Sequence, residues 1–314
     1  MPGKSSLTRW FLTLCIAISF FSAGCSKASS VSASSSDNHS DDQHRATVSE
    51  HLVPAASGAT VYGNDAVSID ASNISEGYFM VQYNGTADKI KMQVTIPDGT
   101  VYTYTLAIGS YETFPLSGGN GNYRLDILEH AYDDQYAVAF SQDIKVSVTN
   151  EFKPFLYPNQ YVWFTPDSRA VGYAAELSDG SSNDLDYVEQ VYNYVTGTIK
   201  YDEALAKTVE SGYLPDIDSV MASKKGICFD YAALMSAMLR SQGIPTKLVV
   251  GYSGDAYHAW ISVHLEEIGW VNDIIEFDGT GWSLMDPTLA AGNSESAVKK
   301  YIGDGTNYIE KYSY

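Results

Sequence analysis

The sequence predicts an α+β protein in which an antiparallel, strand-only segment precedes a segment mixing helices with strands. Three observations carry that expectation. Polar and apolar residues alternate with period two from Thr60 to Thr149, and the period lengthens to a helical one after Phe164. A nearly all-apolar helical stretch beginning at Cys228 is then followed by alternating strands around His258 and Asp286. With 314 residues, 45% of them hydrophobic and 18% charged, the chain is too apolar to be disordered throughout. Its length suits roughly two domains.

Residues 1–25 read as an export signal. Lys4 and Arg9 give a positive start, Trp10 to Phe21 is largely apolar, and the small residues Ser22, Ala23 and Gly24 precede Cys25. The apolar run is too short to anchor the chain as a bilayer-spanning helix. Small residues ending in Gly24-Cys25 resemble a bacterial lipoprotein signal, although Ser22 stands where such signals usually carry an aliphatic residue. The resemblance implies lipidation at Cys25 and a membrane-anchored body on the extracytoplasmic side. Residues 26–58 hold ten serines and no Phe, Trp or Tyr, the composition of a solvated tether. His39, His44 and His51 lie in it at irregular spacing, which favours no metal role.

Residues 59–150 read as a small antiparallel β-sandwich. Strand patterns at Gly77–Asn84, Lys89–Ile96 and Thr100–Ile108 are broken by Asn84-Gly85, Pro97-Asp98-Gly99 and Gly118–Gly121, and Tyr123–Glu129 and Ala137–Thr149 extend the series. Short strands at this spacing suit an immunoglobulin-like sandwich, without the cysteine pair of a true immunoglobulin domain. Seventeen of the 24 tyrosines fall between Tyr62 and Tyr213, and their alternation marks half-buried sheet faces ahead of a sugar-stacking platform.

Charge narrows the partners. The net charge is −19, with 4 bases and 11 acids in residues 59–150 and 11 and 23 in residues 151–314. Two acidic halves repel phosphates and anionic headgroups, so nucleic acid is not expected as a partner, and substrates are expected to be neutral or cationic. No metal or nucleotide motif is present, and no cofactor is expected.

The chemistry concentrates in residues 151–314. Asn183 or Asp184 caps a helix over Leu185–Thr198, with Val188, Val191, Tyr192 and Val195 on one face. A second helix follows Gly226, ends before Gly243-Ile244-Pro245 and has hardly any polar face, so it is buried, with Cys228 in its first turn. Unpaired N–H groups and the positive end of the helix dipole there are expected to lower the thiol pKa and to offer donors to an oxyanion. Ala256–His264 alternates as a strand and puts His258, Trp260, Ser262 and His264 on one face; Gly281–Thr288 ends a strand with Trp282, Leu284 and Asp286 on one face. As antiparallel neighbours, these strands let Asp286 fix the tautomer of His258 while the other ring nitrogen faces Cys228. A cysteine, a histidine or an aspartate alone is ordinarily packing, hydrogen bonding or a turn, and the weight lies in the three together.

Four blocks carry a family likeness. Gly226-Ile-Cys-Phe-Asp-Tyr-Ala232, Gly243-Ile-Pro245 with Val249-Val-Gly-Tyr252, His258-Ala-Trp260 and Gly281-Trp-Ser-Leu-Met-Asp-Pro-Thr288 resemble, in that order and spacing, the transglutaminase-like superfamily core. Val191–Asp202 is similar to the helix and Tyr-Asp that precede that core, so the likeness covers about residues 183–290. It implies a papain-like fold with Cys228 as nucleophile, His258 as base and acid, and Asp286 as orienter. Asn272–Gly279 is insertion-like, lengthens the hairpin and leaves Asp278 a weaker rival to Asp286. The family's second oxyanion donor, an upstream side chain, is not identifiable here. The implied activity is cell-surface acyl transfer on peptide or protein amides through a Cys228 thioester, with hydrolysis, as a protease or deamidase, ahead of cross-linking. The alternative is a surface adhesion or scaffold protein whose catalytic core is inactive.

Overall fold

The computed structural model describes residues 44–253, 255–277, 282–284 and 308–314. Cys15, Cys25, the signal over residues 1–25, most of the tether, Asp278 and Asp286 lie outside the described residues.

The period-two segment forms two four-stranded antiparallel sheets. One comprises β1 (Val61–Gly63), β2 (Val67–Asp70), β3 (Tyr78–Tyr83) and β6 (Glu112–Pro115) in the order β1-β2-β3-β6. The other comprises β4 (Ile90–Thr95), β5 (Val101–Leu106), β7 (Gly121–Tyr132) and β8 (Gln135–Val146) in the order β5-β4-β7-β8. Ile69, Phe79 and Val81 of the first sheet share a core with Ile90, Met92, Leu125 and Ile127 of the second. Each such side chain taken fully out of water contributes about 1.5–3 kcal/mol. The Tyr83 hydroxyl donates to Glu129 at 2.6 Å, tying one sheet to the other.

The mixed segment begins with α1 (Arg169–Asp179) and α2 (Asp184–Thr198), whose N-cap Asn183 accepts from the Asp186 N–H. Then come β9 (Lys200–Tyr201), α3 (Glu203–Thr208), α4 (Ile217–Ser223), β10 (Lys225–Gly226) and α5 (Cys228–Ser241). Every residue of α5 from Asp230 to Ser241 is buried, in line with its missing polar face. It packs on β11 (Thr246–Ser253) and β12 (Ala256–Leu265) and is flanked by α1 and α2. These strands join β13 (Gly269–Phe277), β14 (Trp282–Leu284) and β15 (Tyr308–Ser313) in an antiparallel sheet of order β14-β13-β12-β11-β15.

Two local expectations change. The insertion-like stretch Asn272–Gly279 contributes most of its residues to β13, and β13 separates β12 from β14, so the strand of His258 and the strand leading to Asp286 are not neighbours. Ile274, Ile275 and Phe277 give that stretch strand propensity in place of a loop. Residues 44–58, read as tether, lie against the body. Arg45 is drawn in by Ser178 Oγ at 2.6 Å, the Gln242 carbonyl at 2.5 Å and Asp184 at 2.6 Å, over the Tyr187 ring. Val48 N–H donates to Gln242 Oε1, and Ala55 N–H to the Tyr78 hydroxyl. Specific polar contacts, invisible to composition, order this arm.

The two segments meet at a seam of tyrosines within one compact unit, Asp42–Tyr314. Tyr102 of β5 lies 5.0 Å from Tyr312 and 5.5 Å from Tyr314 between ring centroids, and Tyr104 lies 5.7 Å from Tyr161. Offset and edge-on pairs of this kind contribute about 0.5–1.5 kcal/mol beyond area burial. Among the described residues, no helix is long and apolar enough to cross a membrane.

Candidate active site

Local geometry sets Cys228 at the head of α5. Gly226 of β10 pairs with Tyr201 of β9 in a parallel bridge, Ile227 is extended, and the helix begins at the cysteine. The Asp230 carboxylate folds back to accept the Ile227 N–H at 2.8 Å and is held by the Tyr213 hydroxyl at 2.7 Å. A Cβ on Gly226 would stand 2.7 Å from Asp230 Cβ, so this return requires glycine. Backbone N–H groups of Ala259 and Phe229 are directed at the sulfur, as expected of a nucleophile at a helix start.

The resting charge differs from the sequence expectation. Burial pushes the Cys228 thiol above its ordinary value, the nearby Asp230 carboxylate pushes the same way, and the N–H donors only partly oppose them. Burial likewise holds the His258 imidazole below its ordinary value. Desolvation therefore favours a neutral thiol at Cys228 and a neutral imidazole at His258.

His258 is fixed by crowded backbone. It stands opposite Gly251 of β11, and a Cβ on that glycine would lie 2.0 Å from the Ile309 carbonyl oxygen and 2.9 Å from the Trp260 ring. The His258 and Trp260 rings stack at 6.3 Å between centroids. His258 Nε2 is buried and, among the described residues, has no hydrogen-bond partner. Left unsatisfied, such an atom costs about 1–3 kcal/mol, so the position calls for an acceptor or donor.

Cys228 and His258 line one cavity of about 490 Å³. Tyr161, Tyr201, Tyr213 and Tyr257 supply aromatic walls, Val209–Tyr213 of the loop after α3 lies along one side, and Lys91, Thr103 and Thr105 reach in from the sandwich. Sequence reasoning singled out Cys228 and His258, and the fold brings them together; Asp286 lies outside the described residues. Tyr201 belongs to the Tyr-Asp pair visible upstream, whereas the sandwich residues carry no local signal. His264 takes no part here: it packs 4.1 Å from Phe152 and 5.4 Å from Trp270. His130 is bound on the sandwich by Asp88 and the Asp133 carbonyl. Among the described residues, no group of three or more His, Cys, Asp or Glu side chains could hold a metal ion.

Residues 171–287 match the family model of the transglutaminase-like superfamily. The chain is 26% identical over 149 residues to the uncharacterised protein YebA of Bacillus subtilis, across 40% of this chain and 20% of YebA. It is 33% identical over 99 residues to the UPF0252 protein MJ1282 of Methanocaldococcus jannaschii, across 27% of this chain and 28% of that protein. The chain thus spans about a fifth to just over a quarter of the curated relatives it matches. Among solved structures, it is similar to a provisionally assigned cysteine protease of Cytophaga hutchinsonii, at 13% identity and a TM-score of 0.36, over 76% of this chain and 83% of that one.

Proposed function

We propose, from the transglutaminase-like domain at residues 171–287, that this chain is a cysteine acyl-transfer enzyme acting on peptide or protein amides. The observation that carries the reading is the placement of Cys228 at the start of α5 and His258 on β12 around one cavity.

In the proposed cycle, His258 takes the Sγ proton as the sulfur attacks the amide carbonyl, and N–H groups at the helix start receive the oxyanion. Collapse breaks the C–N bond, His258 returns the proton to the departing amine or ammonia, and an acyl thioester remains on Cys228. Water, deprotonated by the same imidazole, then releases the acid; a lysine amine in its place gives a cross-link. Hydrolysis is the favoured outcome. Asp286 is proposed to accept from His258 Nε2 and fix the tautomer, with Asp278 the rival because it follows directly on β13, the strand paired with that of His258. The strand-only segment is proposed to be an immunoglobulin-like sandwich, a reading its two antiparallel sheets support. Cys25 is the proposed lipid anchor, tested by release of a Cys25→Ser variant from the membrane fraction.

The test is mass spectrometry of the full chain incubated with glutamine-containing peptides. A Cys228 acyl adduct is expected, absent in Cys228→Ala and reduced at least about a hundredfold in formation rate in His258→Ala, the scale of general acid–base assistance. Loss in Asp286→Asn with retention in Asp278→Asn keeps the orienter at Asp286; the reverse result transfers the role. Peptide processing that continues unchanged in Cys228→Ala overturns the enzymatic reading.

A further inference from the structure

Lys91 faces the cavity of Cys228 and His258 from the sandwich. Period-two alternation puts it there: Ile90 and Met92 point into the sandwich core, and Lys91 points outward, opposite Thr105 of β5. Thr103 and Thr105 line the cavity beside it, and the loop after α3 meets this face, since a Cβ on Gly212 would lie 3.6 Å from Thr105 Oγ1. The wall is anchored from behind. Tyr102 and Tyr104, on the inner face of β5, are held in the tyrosine seam; Gln160 Nε2 donates to the Thr105 carbonyl at 2.7 Å, and Ser313 N–H donates to the Tyr102 hydroxyl at 3.3 Å.

We propose that the sandwich is a built part of the substrate site and that Lys91 is its specificity-determining residue, selecting acyl substrates that carry a carboxylate near the scissile amide. The Lys91 ammonium lies 4.3 Å from the centroid of the Tyr136 ring of β8, which is not part of the cavity lining, so the flexible side chain swings from that ring towards β5 to meet a substrate, and the ring does not neutralise it. Among the described residues, no carboxylate stands within ion-pair distance of it. Glu210 is the acidic side chain on the same cavity, but it is exposed, where water and salt screen it, whereas Lys91 is half-buried and screened less. In a chain of net charge −19, Lys91 brings a positive charge to the cavity wall, where Glu210 is the acidic neighbour. A substrate carboxylate would accept a charge-assisted hydrogen bond from the ammonium, stronger than a neutral acceptor gives and unavailable to a cationic neighbour. Against an overall acidity that points to neutral or cationic substrates, Lys91 adds one local preference of the opposite sign.

This inference rests on Cys228 as the nucleophile, so its test has a catalytic and a non-catalytic arm. Two glutamine peptides differing only in Glu or Lys flanking the glutamine are compared by rate of Cys228 acylation and by fluorescence anisotropy on the full-chain Cys228→Ala variant. The Glu peptide is expected to be preferred about tenfold, equivalent to about 1.4 kcal/mol. Lys91→Met removes the preference and Lys91→Glu inverts it, with unchanged thermal melts confirming an intact fold. Preference for the Glu peptide in binding, dependent on Lys91 but without acylation, supports the site while refuting the nucleophile. A Glu-to-Lys ratio unmoved by both Lys91 variants in both arms overturns the proposal.

Discussion

Arg240 is the strongest test of how α5 is held in place. Its guanidinium is buried in the last turn of the helix and donates to three backbone carbonyls: Nε to Thr246 at 2.8 Å, Nη1 to Tyr157 at 2.9 Å and Nη2 to Tyr314 at 2.5 Å. One side chain thereby joins the helix to the start of β11, to the segment leaving the sandwich and to the residue after β15. Three charge-assisted hydrogen bonds contribute about 1.5–3 kcal/mol each, or about 5–9 kcal/mol together. Replacing Arg240 with Met removes them but also removes several kcal/mol of ion desolvation, leaving a net loss of about 3–5 kcal/mol. At about 2–4 °C per kcal/mol, the melting temperature should fall by about 6–20 °C. Calorimetry and urea unfolding of the full chain measure it, with the midpoint expected to move at constant slope. A loss below about 1 kcal/mol would falsify the assignment of Arg240 as the clamp, since the desolvation cost would then cancel all three bonds. Arg240→Lys should fall between, because an ammonium cannot span the three carbonyls in the guanidinium's fork geometry.

Two further perturbations separate electrostatics from packing. Asp230→Asn removes the carboxylate that helps push the Cys228 thiol up, so the pH profile of Cys228 alkylation in the full chain should move to lower pH; an unmoved or upward profile contradicts that coupling. Arg45→Met should release the N-terminal arm, costing about 1–3 kcal/mol from the bonds to Ser178 and the Gln242 carbonyl. The half-exposed Asp184 adds little to that loss. Proteinase K should then cut between residues 44 and 58, and equal protection in the variant and the parent would show that other contacts hold the arm.

What was legible in the sequence follows from the range of the forces involved. Strand alternation and the apolar face of α2 are local, and β3, β4, β5, α2 and β12 form within a residue or two of the expected bounds. The placement of Cys228 at a helix start and of His258 on a strand is local in origin, and packing of α5 on β12 puts both on one cavity. The helices α1 and α3 are less visible, the first carrying Gly172 and the second only six residues long. Their faces are defined by neighbours that sequence periodicity does not identify. The ordered arm was missed because its stability comes from one arginine reaching residues 133 to 197 positions away, a fact that Ser-rich composition hides. The sign of the thiol shift was missed for a related reason: the helix dipole is readable from position, whereas desolvation depends on everything packed around the sulfur. The same holds for Lys91, 137 residues before Cys228 (228 − 91), which in sequence is only an outward residue of a half-exposed strand. Once the tyrosine seam docks β5 against the mixed helix and strand segment, that outward face becomes a wall of the cavity that Cys228 lines, and an ordinary surface lysine acquires the position from which the proposed selection would act.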